Sequence, residues 1–69
     1  MLRKRSLSLA GHTTSLALEP AFWDVLEAIA GERRRSLTSV IAEIDAGRGR
    51  EPLASACRVA ALTWAGRRD

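Results

Sequence analysis

The stretch Ser6-Leu7-Ser8-Leu9-Ala10-Gly11-His12-Thr13-Thr14-Ser15-Leu16-Ala17-Leu18 decides the fold. Ser6-Leu7-Ser8-Leu9 alternates small polar residues with leucine, and Ser15-Leu16-Ala17-Leu18 repeats the alternation. Period-two alternation puts the leucines on one face of a strand and the small residues on the other. Ala10-Gly11-His12 supplies the turn between the runs, because Gly11 tolerates positive φ. The spacing predicts ribbon strands within 6–18, preceded by a basic arm over 1–5. A two-stranded ribbon is marginal by itself, so its leucine face needs a cover.

Downstream the period changes. Pro20 suits the first turn of a helix, where its missing N–H costs nothing, and Glu19 and Asp24 place negative charge near that end. Phe22, Leu26, Ile29 and Ala30 then fall at helical spacing, widened by Trp23 and Val25, which predicts a helix over 20–33. Gly31 weakens its end, and Arg33-Arg34-Arg35 closes it. Ser36 caps a second helix over 36–46, with Leu37, Val40, Ile41 and Ile44 on its apolar face. Asp45-Ala46-Gly47-Arg48-Gly49-Arg50 breaks the pattern. Pro52 opens a third helix over 53–65, where Leu53, Ala56, Cys57, Ala60, Ala61 and Trp64 step by three and four. Residues 66–69 read as a frayed end.

With 69 residues the chain is one domain, and a chain this short buries too little surface to be robust alone. Cys57 is the only cysteine, so an intrachain disulfide is excluded; with His12 the only histidine, a Cys/His metal site is also disfavoured. Self-association is the remaining remedy. Pairing the ribbon with its copy across a two-fold axis satisfies the exposed edge and covers the leucine face together. No apolar run approaches the length of a membrane span, and the basic start is not followed by the apolar core of a signal peptide. A lone cysteine fits a reducing cytosol, so a cytoplasmic protein is expected. The net charge of +3 is clustered in Arg3-Lys4-Arg5, Arg33-Arg34-Arg35 and Arg67-Arg68. Such clusters suit either a polyanion, most often nucleic acid, or a plain solubility surface.

Taken together, Thr14-Ser15-Leu16-Ala17-Leu18-Glu19-Pro20, Phe22-Trp23, Leu26, Ile29, Ala30 and Ser36-Leu37-Thr38-Ser39 resemble a ribbon-helix-helix DNA-binding domain. Lys4-Arg5-Ser6-Leu7-Ser8-Leu9, Gly11-His12-Thr13-Thr14-Ser15 and Ala42-Glu43-Ile44-Asp45 are similar to a bacterial subfamily of small members, over about residues 4 to 65. The resemblance implies a mainly α fold with an N-terminal β-ribbon, an intertwined homodimer and an added third helix. It also implies that the ribbon enters the major groove of double-stranded DNA. With Leu16 and Leu18 inward, Thr13, Ser15 and Ala17 are carried over as base-contacting. Thr and Ser bond either kind of base, whereas Ala only touches a thymine methyl. Members often place Arg, Lys, Asn or Gln there, which this chain lacks. The basic arm Arg3, Lys4, Arg5 and His12, which also suit a neighbouring groove, are assigned to phosphates. So is the start of the second helix, Ser36, Leu37 and Thr38 with Arg34 and Arg35, where backbone N–H groups and the helix dipole suit an anion. Many members carry glycine where Arg34 stands, so a positive φ there is expected to change the turn.

Other residues fit plainer roles. Trp23 and Trp64 have aliphatic neighbours at helical spacing and read as packing, not as a stacking platform. Cys57 reads as a buried inert thiol. Glu43 and Asp45 do not share i, i+4 spacing, and nothing pairs a nucleophile with a base, so no enzyme and no cofactor are expected. Three functions compete: a sequence-specific repressor or autoregulator; an antitoxin-type module that neutralises a partner protein; and a dimer without DNA binding. The compact 51–69 segment, not a long tail, points to packing in the dimer or in a higher oligomer.

Overall fold

The computed structural model describes residues 1–67. Its elements run β1 (Arg3–Leu9), β2 (His12–Leu18), α1 (Pro20–Arg33), α2 (Leu37–Gly47) and α3 (Leu53–Gly66). This is the ribbon followed by helices, with a third helix added, that the sequence leads one to expect. The frayed end expected at 66–69 differs at Gly66, which is helical; Arg68 and Asp69 lie outside the described residues.

The strands pair antiparallel within one chain, in a register running from Arg3 opposite Leu18 to Leu9 opposite His12. The turn is therefore the two residues Ala10 and Gly11, not three. Their φ values are 49° and 81°. Two positive φ values are what a type I′ turn demands, and its twist matches that of the strands it joins. Gly11 accepts this freely, whereas Ala10 carries a Cβ into the left-handed region.

β1 also starts earlier than the alternation indicates. Arg3-Lys4-Arg5 is strand, not a free arm. Charged residues hide the period here, yet Arg5 stacks its guanidinium 4.5 Å from the centre of the Trp23 ring and ion-pairs with Glu27 at 3.3 Å. The Trp23 indole N–H donates to the Arg3 carbonyl at 2.9 Å. α1 thus ties down the end of the strand.

The leucine face is covered by the chain's own helices. Leu7, Leu9, Leu16 and Leu18 are 7, 5, 3 and 0% exposed. They join Trp23, Leu26, Ile29 and Ala30 of α1, Val40 and Ile41 of α2, and Cys57 and Ala61 of α3 in one core. α2 packs on β1, α3 on β2, and α1 on both helices. The expectation that a second subunit must cover the leucines is corrected here. α2 over β1 and the added helix α3 over β2 supply that cover within the chain.

The helix ends explain the turns between them. The Glu19 carbonyl accepts from the Phe22 and Trp23 N–H groups at 3.0 and 3.3 Å. Its carboxylate leaves the helix end and meets Arg58 of α3 at 2.9 Å. That guanidinium also lies 5.8 Å from the Phe22 ring centre, so Glu19, Phe22 and Arg58 clamp α1 to α3. α1 ends with Arg34 at φ 55°, ψ 43°. Arg34 N–H donates to the Gly31 carbonyl and Arg35 N–H to that of Ala30, at 3.2 and 2.9 Å. This pair of bonds is a Schellman motif, which glycine fills at least cost. The arginine accepts the left-handed conformation that the turn requires.

Candidate nucleic-acid interface

Alternation gives the hairpin a second face, turned away from the helices. The register places Lys4 opposite Ala17, Ser6 opposite Ser15 and Ser8 opposite Thr13. Cross-strand partners project on the same side. The six side chains thus share one face; Ala17 is half-buried and the other five are exposed. Thr13, Ser15 and Ala17 stand together there, as the sequence leads one to expect. Sequence reasoning missed Ser6 and Ser8. The signal was available: a two-residue turn at Ala10-Gly11 fixes the register, and counting outward puts both serines on this face.

The face carries four hydroxyls, one ammonium and one methyl on a two-stranded ribbon. B-DNA's major groove admits such a ribbon. By their chemistry, hydroxyls can donate or accept, a lysine ammonium suits guanine or phosphate, and an alanine methyl suits a thymine methyl.

The basic residues assigned to phosphates are not brought together. Lys4 lies on the outer face. Arg3, Arg5 and His12 are paired with Leu18, Leu16 and Leu9, so they flank the helix-covered face. Arg5 is engaged by Trp23 and Glu27, as described. His12 lines a shallow surface depression with Thr14, Asp45, Arg48 and Leu53, at the turn end of the hairpin.

The second candidate region surrounds the start of α2. Ser36 is the cap, its Oγ accepting from the Ser39 N–H at 3.0 Å. The Leu37 and Thr38 N–H groups belong to the first turn, where no intrahelical acceptor exists. Leu37 and Thr38 are half-buried, and Leu37 packs against the core, so only its backbone is suited to an anion. Three arginines precede the cap, with unequal freedom. Arg34 is exposed and makes no ion pair among the described residues. Arg35 donates to the Ser39 Oγ through Nε and Nη2, at 3.0 and 2.7 Å, and ion-pairs with Glu43. Arg33 meets the other Glu43 oxygen at 3.4 Å. The Arg35 hydrogen bond and charge, with Arg33 nearby, hold the Glu43 carboxyl below the usual carboxylate range. Glu43 is a residue that no sequence pattern ties to this region; its two arginine partners show it only once α1 and α2 are packed.

Chemistry elsewhere is sparse. Cys57 is fully buried, and burial, followed by the nearby Asp45 charge, pushes its thiol up to about 11. Trp23 is buried, and Trp64 is half-buried with its indole N–H 3.4 Å from Glu32. Among the described residues no three His, Cys, Asp or Glu side chains gather to hold a metal ion, and no helix is long and apolar enough to cross a membrane. A surface groove of about 460 Å³ lies between α2 and α3, lined in part by Ile44, Gly47, Ala56, Val59 and Ala60.

A two-stranded antiparallel ribbon leading into helices, with its small-residue face open, defines a class of domain. A family model described as "Ribbon-helix-helix domain" matches residues 2–65, and the chain belongs to that family. Membership implies a function of the DNA-binding regulator type, and domains of this family are regulatory DNA-binding modules, not enzymes. No curated protein and no solved structure matches the chain.

Proposed function

We propose that this protein is a dimeric, sequence-specific DNA-binding regulator, a repressor or autoregulator, which inserts its β-ribbon into the major groove. The outer hairpin face carries the proposal. Lys4, Ser6, Ser8, Thr13, Ser15 and Ala17 form a small polar surface that none of the described helices covers.

The hairpin geometry also supports a dimer. The pair next to a two-residue turn exchanges both hydrogen bonds, and so does every second pair beyond it. From the Leu9–His12 pair, this alternation turns the N–H and C=O groups of Thr13, Ser15 and Ala17 to the outer edge of β2. An open edge is a template for another strand. A two-fold axis near Ser15 pairs the edges of two subunits antiparallel and joins their outer faces into one surface. Small side chains give modest direct readout. Arg34 and the Leu37 and Thr38 N–H groups add phosphate contacts that position the protein without reading sequence.

A gel-shift series with genomic fragments against competitor DNA tests this. Preferential binding to one fragment, by a factor of about a thousand or more, is expected of a specific regulator. Equal binding to every fragment refutes sequence-specific regulation.

A second reading is a protein-interaction module of the antitoxin type. Val59 and Leu62 on α3 favour it, being 60 and 71% exposed. Co-purification of a stoichiometric partner whose activity the chain inhibits supports this reading.

A further inference from the structure

We infer that Glu43 is a positioning residue that restrains the arginine cluster in the free protein and lowers its affinity for any duplex. This rests on the DNA-binding reading above and adds a control element to the same site.

The geometry is specific. Glu43 lies on α2 beyond the anion-suited first turn, and its two oxygens are divided between two arginines. One meets Arg33 and the other meets Arg35. Arg35 is held further by the Ser39 hydroxyl and by the Ser39 carbonyl at 3.3 Å. Both cations are thereby drawn along the flank of α2, whereas Arg34, between them in sequence, is held by the left-handed turn and makes no ion pair among the described residues. All three ionic side chains are exposed, at 46, 38 and 54% for Arg33, Arg35 and Glu43. Exposed pairs of this kind are weak, so an arriving phosphate can displace the carboxylate. Phosphate contacts made by arginine release counterions, and each steepens the fall of log affinity with log salt by about 0.9. While Glu43 competes, part of that gain is spent on breaking its two pairs.

The test compares wild type, Glu43→Gln, Glu51→Gln and Arg33→Gln/Glu43→Gln by fluorescence anisotropy. The probe is a short mixed-sequence DNA duplex, titrated over a series of KCl concentrations. Glu51→Gln removes the same charge from a carboxylate that has no arginine ion pair among the described residues, so it controls for net charge. Glu43→Gln is expected to bind about three- to tenfold tighter at low salt, as loss of two weak competing pairs implies. Its log–log salt slope should steepen by between about one and two. Adding Arg33→Gln should reverse part of that gain. Thermal melts of each variant verify that the fold persists. Equal shifts for Glu43→Gln and Glu51→Gln, or an unchanged slope for Glu43→Gln, overturn the assignment of Glu43 and leave DNA binding standing. Absence of binding by the wild type at low salt overturns the DNA-binding reading itself.

Discussion

Arg34 occupies a backbone position that glycine fills at least cost, and the left-handed conformation costs a residue with a Cβ roughly 1–2 kcal/mol. In the proposed complex, a DNA phosphate is the partner of this exposed arginine. Arg34→Gly is therefore expected to raise stability by roughly 0.5–1 kcal/mol in urea unfolding while weakening duplex binding and flattening its salt slope by about one. A loss of stability, or unchanged DNA affinity, contradicts that role. Cys57 provides a second test at this scale. Fully buried, with its thiol raised to about 11, it should resist alkylation at neutral pH and react at once in denaturant. Glu19 and Glu43 set the acid limit. Both carboxyls lie below their ordinary value of 4.5 in the folded chain, Glu19 through its own backbone N–H and then Arg58, Glu43 through Arg35. A depressed folded value means that their contribution is present above 4.5 and is lost as pH falls through the lower folded value. Melting temperature should drop over that acid window, and Glu19→Gln/Glu43→Gln should flatten the drop.

Among the elements, the hairpin and the α2 cap make the sharpest claims. Ser36→Ala removes the acceptor for the Ser39 N–H and should cost about 1 kcal/mol by chemical denaturation. Ala10→Asn should stabilise the type I′ turn, since Asn tolerates positive φ better than Ala. Much of this level is legible in the residues. Leucine alternation gives the strands, Pro20 and Ser36 mark helix starts, and the step of three and four gives each helix its buried face. The start of β1 is not legible, because Arg3 and Arg5 break the apolar pattern while their partners, Trp23 and Glu27, lie on α1, about twenty residues along the chain. Nor does the alternation say which copy covers the leucines. An amphipathic strand requires an apolar cover, and only the packing of α3 on β2 shows that this chain supplies its own. In the candidate site, Thr13, Ser15 and Ala17 follow from counting along one strand. Ser6 and Ser8 need the register across two, and the hold of Glu43 on Arg33 and Arg35 needs the turn between α1 and α2 in three dimensions.

At the scale of the whole molecule, the chain covers its own core yet leaves β2 with an open edge. Leucine burial and subunit pairing are thereby separated. Ser15→Pro removes an N–H that faces the edge and should break the dimer while the hairpin survives. Leu16→Pro removes one that faces β1 and should unfold the chain. Sedimentation velocity with circular dichroism distinguishes the two, and a Ser15→Pro variant that stays dimeric contradicts edge pairing. Separately, Leu26→Ala at the centre of the core should cost about 2–5 kcal/mol. The most direct test of the outer hairpin face as the DNA-reading surface is backbone amide NMR during titration with duplex DNA. Shifts concentrated on Lys4, Ser6, Ser8, Thr13, Ser15 and Ala17, with a second group at Arg34 to Thr38, are the predicted result. Shifts confined to α3, or an unperturbed hairpin in a saturated complex, would contradict it.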